Sequence, residues 1–136
     1  MSNIATIALS GMNAAARRLE VSASNIANIR STGALPNADD TSPAGAPQAY
    51  VPIALVQTAS AGGGTRTAVA AVTPPTTAVS DPQAPFANQN GLVAAPNVDL
   101  AREMISQMVA KYSFAANATT MKANDRMTKT LLDIKV

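Results

Sequence analysis

The chain has 136 residues, a net charge of +2, no cysteine and no histidine. Without cysteine there is no disulfide and no thiol nucleophile, and without histidine the commonest metal ligand and the usual proton carrier near neutral pH are missing. Hydrophobic residues make up 47%, but much of that is alanine and the only aromatics are Tyr50, Phe86, Tyr112 and Phe114. A core of such side chains buries little area at about 25 cal/mol per Å², so the expectation is a marginal monomer that gains stability from neighbours.

All nine prolines lie between Pro36 and Pro96, and six of the seven glycines lie between Gly33 and Gly91. Proline and glycine are the residues a helix interior tolerates least. The chain therefore divides into an N-terminal helical arm (1–33), a breaker-rich insert (34–96) and a C-terminal helical arm (97–136). The expected class is mainly α. The two terminal helices form a coiled-coil-like pair and together make one core domain, with a small irregular or β-hairpin insert between them.

In the N-terminal arm Ala5, Met12, Leu19 and Ile26 recur every seven residues, and Ala8, Ala15, Ser22 and Ile29 fill the companion track. This is an a/d-type seam with large residues on one track and small ones on the other. Gly11 weakens the helix by up to about 1 kcal/mol relative to alanine. Ser31-Thr32-Gly33 supplies the stop, with Gly33 placed for a left-handed cap.

In the insert, Tyr50–Gln57 and Thr65–Val72 read as two extended segments around Gly62-Gly63-Gly64, hence a hairpin, with Pro52 confining the first to an edge. Pro36–Gln48 and Thr73–Asn90 read as loop or extended chain. The glycine triplet lacks the Lys-Ser/Thr of a phosphate cradle and is read as a flexible turn.

The C-terminal arm opens at Pro96-Asn-Val-Asp99, where Asn97 or Asp99 caps a helix and Asp99 and Glu103 place negative charge at its start. Met104, Ile105, Met108, Val109 and Tyr112 form an apolar stripe that Met121, Met127, Leu131 and Ile134 continue at three-four spacing. Lys129 and Lys135 suit the helix C-terminus. Periodicity does not say whether these stripes close an intramolecular hairpin or face copies and partners.

Chemistry finds little support. Asp39-Asp40 sits among breakers and reads as solvated, Asp99 and Glu103 serve the helix end, and no histidine stands by to activate a serine. Arg17-Arg18 is a pair without a larger basic face or aromatic interleaving, so a nucleic-acid partner is not expected. The first residues show no basic region followed by an apolar core, so no cleavable signal is expected, and no stretch approaches the roughly 20 apolar residues of a membrane span.

Ser10-Gly-Met-Asn-Ala14, then Arg18–Ile29 with Ala23-Ser-Asn-Ile-Ala-Asn28 at its centre, then Thr32-Gly33, resemble the N-terminal signature of bacterial flagellar rod, hook and hook-associated axial proteins. Pro96–Asp99, Glu103-Met104, Ser113-Phe114-Ala-Ala-Asn117 and Lys129-Thr-Leu131 resemble the proximal rod members of that family. The match covers both arms and is loose across the insert. The sequence departs from the pattern at Ala34-Leu35, where an aromatic residue often follows the glycine, and at Tyr112 and Phe114.

The resemblance implies a structural subunit of the proximal rod, exported without a cleavable signal, whose terminal helices polymerise into a periplasm-crossing drive shaft and export-channel wall. It implies no enzymatic activity, no cofactor, no metal, no nucleic acid and no small-molecule substrate. The implied partners are copies of the chain, other proximal and distal rod proteins, and the inner-membrane ring with its export apparatus. Assembly residues expected on these combined grounds are Met12, Leu19, Ala23, Asn25, Ile26, Asn28, Met104, Met108, Phe114, Asn117 and Leu131. Asn25 and Asn28 are expected to satisfy polar groups at the end of the first helix. The alternatives are another axial component, or a peripheral membrane-binding protein with amphipathic helices.

Overall fold

The computed structural model describes residues 3–36 and 45–134; Asp39, Asp40 and Lys135 lie outside them. Helix α1 (Asn3–Ala27) and helix α2 (Leu100–Asp133) enclose four strands in sequence: β1 (Ile53–Ala59), β2 (Thr65–Ala71), β3 (Thr76–Ser80) and β4 (Leu92–Pro96). Strands β1 and β2 pair with each other, and β3 pairs with β4. The long helices therefore lie in the two glycine- and proline-poor arms, and all strands among the described residues lie in the insert.

The structure has two compact units, one made of Met1–Ser22, Leu55–Val69 and Met104–Val136, the other of Ala23–Ala54 and Ala70–Glu103. Helices α1 and α2 and the β1–β2 hairpin each contribute residues to both.

In the first unit the hairpin turns at Ser60–Gly64, where the Gly63 amide donates to the Ser60 carbonyl (2.9 Å) and the Ser60 amide to the Gly64 carbonyl (3.1 Å). Gly63 and Gly64 both have φ of 84°, a left-handed conformation that glycine alone adopts cheaply. The turn rests on α1: a Cβ on Gly64 would collide with Ser10 Oγ, and one on Gly63 would press on the Ile7 side chain. Ser10 Oγ accepts from the Thr65 amide (3.1 Å) and donates to the Ile7 carbonyl (2.7 Å). Further along, the Arg18 guanidinium donates to Gln57. Polar bonds thus tie the hairpin to the helix, and most of its own side chains stay exposed.

Gly11 meets α2 in this unit. A Cβ there would lie 2.5 Å from Asn117 Oδ1, so the glycine that weakens α1 locally is the one that lets α2 approach.

In the second unit α1 ends at Ala27, four residues before the Ser31 stop expected from sequence. Asn28 Nδ2 donates back to the Ser24 carbonyl (3.0 Å), and the Ile29 amide bonds to the Ile26 carbonyl (3.3 Å). These bonds satisfy carbonyls the helix end leaves open.

Gly33 is not the left-handed cap expected of it. It bridges to Ala94 in both directions (2.9 and 2.8 Å), and a Cβ there would run into the backbone of Pro47–Ala49. Close backbone approach, not positive φ, is what requires a glycine.

The stretch Thr73–Asn90, read as loop or extended chain from sequence, contains β3. Its register against β4 runs antiparallel from Thr76 opposite Pro96 to Ser80 opposite Leu92. With Gly33 on its other edge, β4 is the inner strand, and its Val93, Ala94 and Pro96 are buried. The turn before β4 is organised by Asn88 Oδ1, which accepts from the amides of Asn90 and Leu92 (both 2.9 Å).

Asp99 caps α2, its Oδ1 accepting from the amides of Ala101 (2.9 Å) and Arg102 (3.2 Å). The other candidate cap, Asn97, donates to the Pro74 carbonyl (2.9 Å) instead.

Candidate assembly interface

The inward rows of the two helices are built from small and polar residues. On α1 the buried positions are Ala8, Ala14, Ala15, Val21, Ser22 and Asn25. Of the large track expected at the seam, Met12 and Ile26 are half-buried, while Leu19 is 48% exposed. The packed face is centred on the small companion track and turns Leu19 outward. It does so because the hairpin and α2 approach where side chains are short, at Ser10, Gly11 and Asn25.

On α2 the half-buried or buried positions include Ser106, Ala110, Ser113, Asn117, Met121, Asn124 and Thr128, a run of three- and four-residue steps that defines one helix face. Two of its polar members bond to their own helix: Asn117 Nδ2 donates to the Ser113 carbonyl (2.8 Å) and Thr128 Oγ1 to the Asn124 carbonyl (3.0 Å). Such bonds within the helix let a row with little apolar area face inward, and among the described residues no buried side-chain N or O atom lacks a hydrogen-bond partner.

The large apolar residues of α2 lie elsewhere. Met104, Ile105, Met108, Val109 and Tyr112 are all exposed, Tyr112 by 71%, and further along Met127, Leu131 and Leu132 are exposed as well. The spacing of the first five places them on one side of the helix over about two turns. Methionine and tyrosine there suit an adaptable contact with another apolar surface.

The residues expected at an assembly interface thus separate into three groups. Leu19, Ala23, Met104, Met108, Phe114 and Leu131 are exposed, and Met12, Ile26, Asn28 and Asn117 are half-buried. Asn25 is 1% exposed and faces the interior of its own chain. Its Nδ2 donates to the Ile53 carbonyl (2.8 Å) and to Glu103 Oε1 (2.7 Å). Its Oδ1 accepts from the Ile53 amide and the Tyr50 hydroxyl (both 3.1 Å), and Ser24 Oγ lies 3.0 Å from the same hydroxyl. Sequence reading did not link Tyr50, Ile53 and Glu103 to Asn25, because the four are joined only by folding.

Arg17 and Glu20 form a surface ion pair at 2.7 Å. Among the described residues no group of three or more Asp or Glu side chains is placed to hold a metal ion, and no helix is long and apolar enough to cross a membrane.

Comparison with known proteins matches both arms. Residues 6–34 match the family model for flagella basal body rod proteins, and residues 89–134 match the model for the flagellar basal body rod FlgEFG protein C-terminal region. Along nearly its whole length the chain is similar to flagellar basal-body rod protein FlgC of Salmonella typhimurium, 35% identical over 130 residues that cover 95% of this chain and 94% of that protein. FlgC of Yersinia enterocolitica is 37% identical over 134 residues with the same coverage. The flagellar hook protein FlgE of Escherichia coli is 37% identical over 46 residues, 34% of this chain and 11% of that protein. With the similarity running through the insert as well as both arms, the chain belongs to the FlgC family of flagellar basal-body rod proteins.

Proposed function

We propose that this chain is a structural subunit of the proximal rod, polymerising through its terminal helices into the periplasm-crossing shaft whose inner wall lines the export channel. The observation that carries this reading is the exposed row Met104, Ile105, Met108, Val109 and Tyr112 on α2. Apolar area of this kind, left outside the fold of a chain poor in large hydrophobes, favours burial against neighbours. The role is to be rigid once assembled and to transmit torque, not to carry out chemistry, and it calls for no cofactor.

Within the subunit the two arms act as a coiled-coil-like pair, and the insert faces outward. Two contacts support the pairing. Gly11 approaches Asn117 in one unit, and Asn25 bonds Glu103 in the other. Positions 11 and 25 are fourteen residues apart, as are 103 and 117, which is two heptads on each helix. The partners in this reading are copies of the chain, neighbouring proximal and distal rod proteins, and the inner-membrane ring with its export apparatus.

The test is assembly in cells. Met104 and Met108 are replaced together by glutamine and basal bodies are isolated. The expected result is secreted or cytoplasmic subunit that is absent from rods, with motility lost. Rods that form with wild-type occupancy of the double variant would reject the α2 row as the assembly surface. A density map of the isolated basal body with the wild-type chain traced would decide its place along the axis.

A further inference from the structure

The Asn25 side chain makes four hydrogen bonds and has no share in an exposed assembly surface. We infer that its side-chain amide is a latch that makes the placement of the hairpin base on α1 conditional on the arrival of the first turn of α2. All the groups involved, Asn25, Tyr50, Ile53 and Glu103, belong to one compact unit.

A side-chain amide offers two N–H donors and a carbonyl oxygen with two lone pairs. Here all four are used. The Ile53 amide and carbonyl take one acceptor position and one donor of the Asn25 group, so the amide serves the backbone of Ile53 as a neighbouring strand would. That double bond sets the plane of the amide. Its second N–H is then aimed at Glu103 Oε1 (2.7 Å), and its remaining lone pair receives the Tyr50 hydroxyl (3.1 Å).

Because the group is planar and 1% exposed, it cannot turn toward solvent when one partner leaves and still keep its bonds to the others. Losing Glu103 strands a buried N–H, and rotating the amide to relieve it breaks both bonds to Ile53. The hairpin base and α2 are thereby coupled through this one amide. The chemistry also discriminates asparagine from aspartate: a carboxylate has the same shape but no donors, so it would face the Ile53 carbonyl and the Glu103 carboxylate with oxygen.

Amide hydrogen exchange on the full-length chain tests the latch, read at Ile53 and, as an internal standard, at Ala94, whose amide bonds to Gly33. Glu103→Ala touches neither amide. The expected result is a loss of protection at Ile53 of about tenfold, the scale of one buried hydrogen bond, with Ala94 changed by less than about threefold. Glu103→Gln keeps an acceptor oxygen and is expected to restore Ile53 toward wild type. Asn25→Asp is expected to expose Ile53 most. Should that variant fail to fold, the two Glu103 variants still decide. Unchanged protection at Ile53 in Glu103→Ala overturns the inference. So does a parallel loss at Ile53 and Ala94, which would mean that only global stability had fallen.

Discussion

The inward row of α2 and its outer row carry opposite kinds of residue, and the distribution is the reverse of a globular helix. Ser106, Ala110, Ser113 and Asn117 face inward, while Met104, Ile105, Met108, Val109 and Tyr112 lie outside. In an ordinary amphipathic helix the larger apolar stripe is the buried one. Here the inward row is chosen for close approach and internal hydrogen bonding, and the apolar area stays available. Large hydrophobes on the outside leave apolar area that burial against another surface would stabilise.

Overfilling the inward row should have the largest effect on the subunit. Gly11→Val places two further methyl groups where Asn117 already lies 2.5 Å from an added Cβ, and a loss of about 3 kcal/mol is expected from such overpacking. Urea denaturation followed by far-ultraviolet circular dichroism measures it. Partial recovery in Gly11→Val with Asn117→Ala would sharpen the assignment, and a wild-type midpoint in the single variant would break it.

Next comes the inner strand of the second unit. Val93 is fully buried, so Val93→Ala should lower stability by about 2 kcal/mol through lost burial and the cavity left behind. The same denaturation curve reports it, together with faster exchange of the Ala94 amide.

Removing the α2 cap is smaller. Asp99→Ala deletes the acceptor for the amides of Ala101 and Arg102 and is expected to cost about 1 kcal/mol, read as fraying of the first turn in amide exchange. Asp99→Asn retains an acceptor and should lose only a fraction of that.

The outer row should barely register in the monomer. Met104→Gln with Met108→Gln is expected to shift stability by no more than about 0.5 kcal/mol, while weakening assembly by about 2 kcal/mol or more if these side chains anchor the contact. A large fall in monomer stability would mean that the row is buried within the subunit after all. Smallest is the Arg17–Glu20 pair, half or more exposed on both sides. Glu20→Ala should change the melting midpoint by less than about 0.5 kcal/mol equivalent, and less still in high salt.

Much of this architecture was legible in the residues. The clustering of proline and glycine between residues 33 and 96 placed the two helices, since those residues act locally on the backbone. Asp99 as a cap and Gly62–Gly64 as a turn were legible for the same reason. Strand β3 was legible only as loop or extended chain, because Thr76–Ser80 lies among prolines and becomes a strand through its ladder with Leu92–Pro96. Gly33 was placed in the right neighbourhood for the wrong reason: it answers to the backbone of Pro47–Ala49, some fifteen residues away.

Of the expected interface residues, Met104, Met108 and Leu131 are exposed along α2, and three-four spacing had already put large residues there. Leu19 and Asn25 show what spacing leaves open. Both lie on α1, six residues apart, yet Leu19 faces out and Asn25 is enclosed. Periodicity ranks the faces of a helix by composition. It does not contain the position of the hairpin that covers one of them.

By itself, then, the sequence determined the helical arms, the turn chemistry, the cap and the axial-protein signature, because each rests on backbone preferences or short-range bonds within a few residues. Tertiary structure alone decided which helix face packs, that Gly33 joins β4, and that Asn25 gathers Tyr50, Ile53 and Glu103. Those outcomes depend on groups as many as 78 positions apart, and hydrogen bonds at that separation are selected by how the whole chain closes on itself.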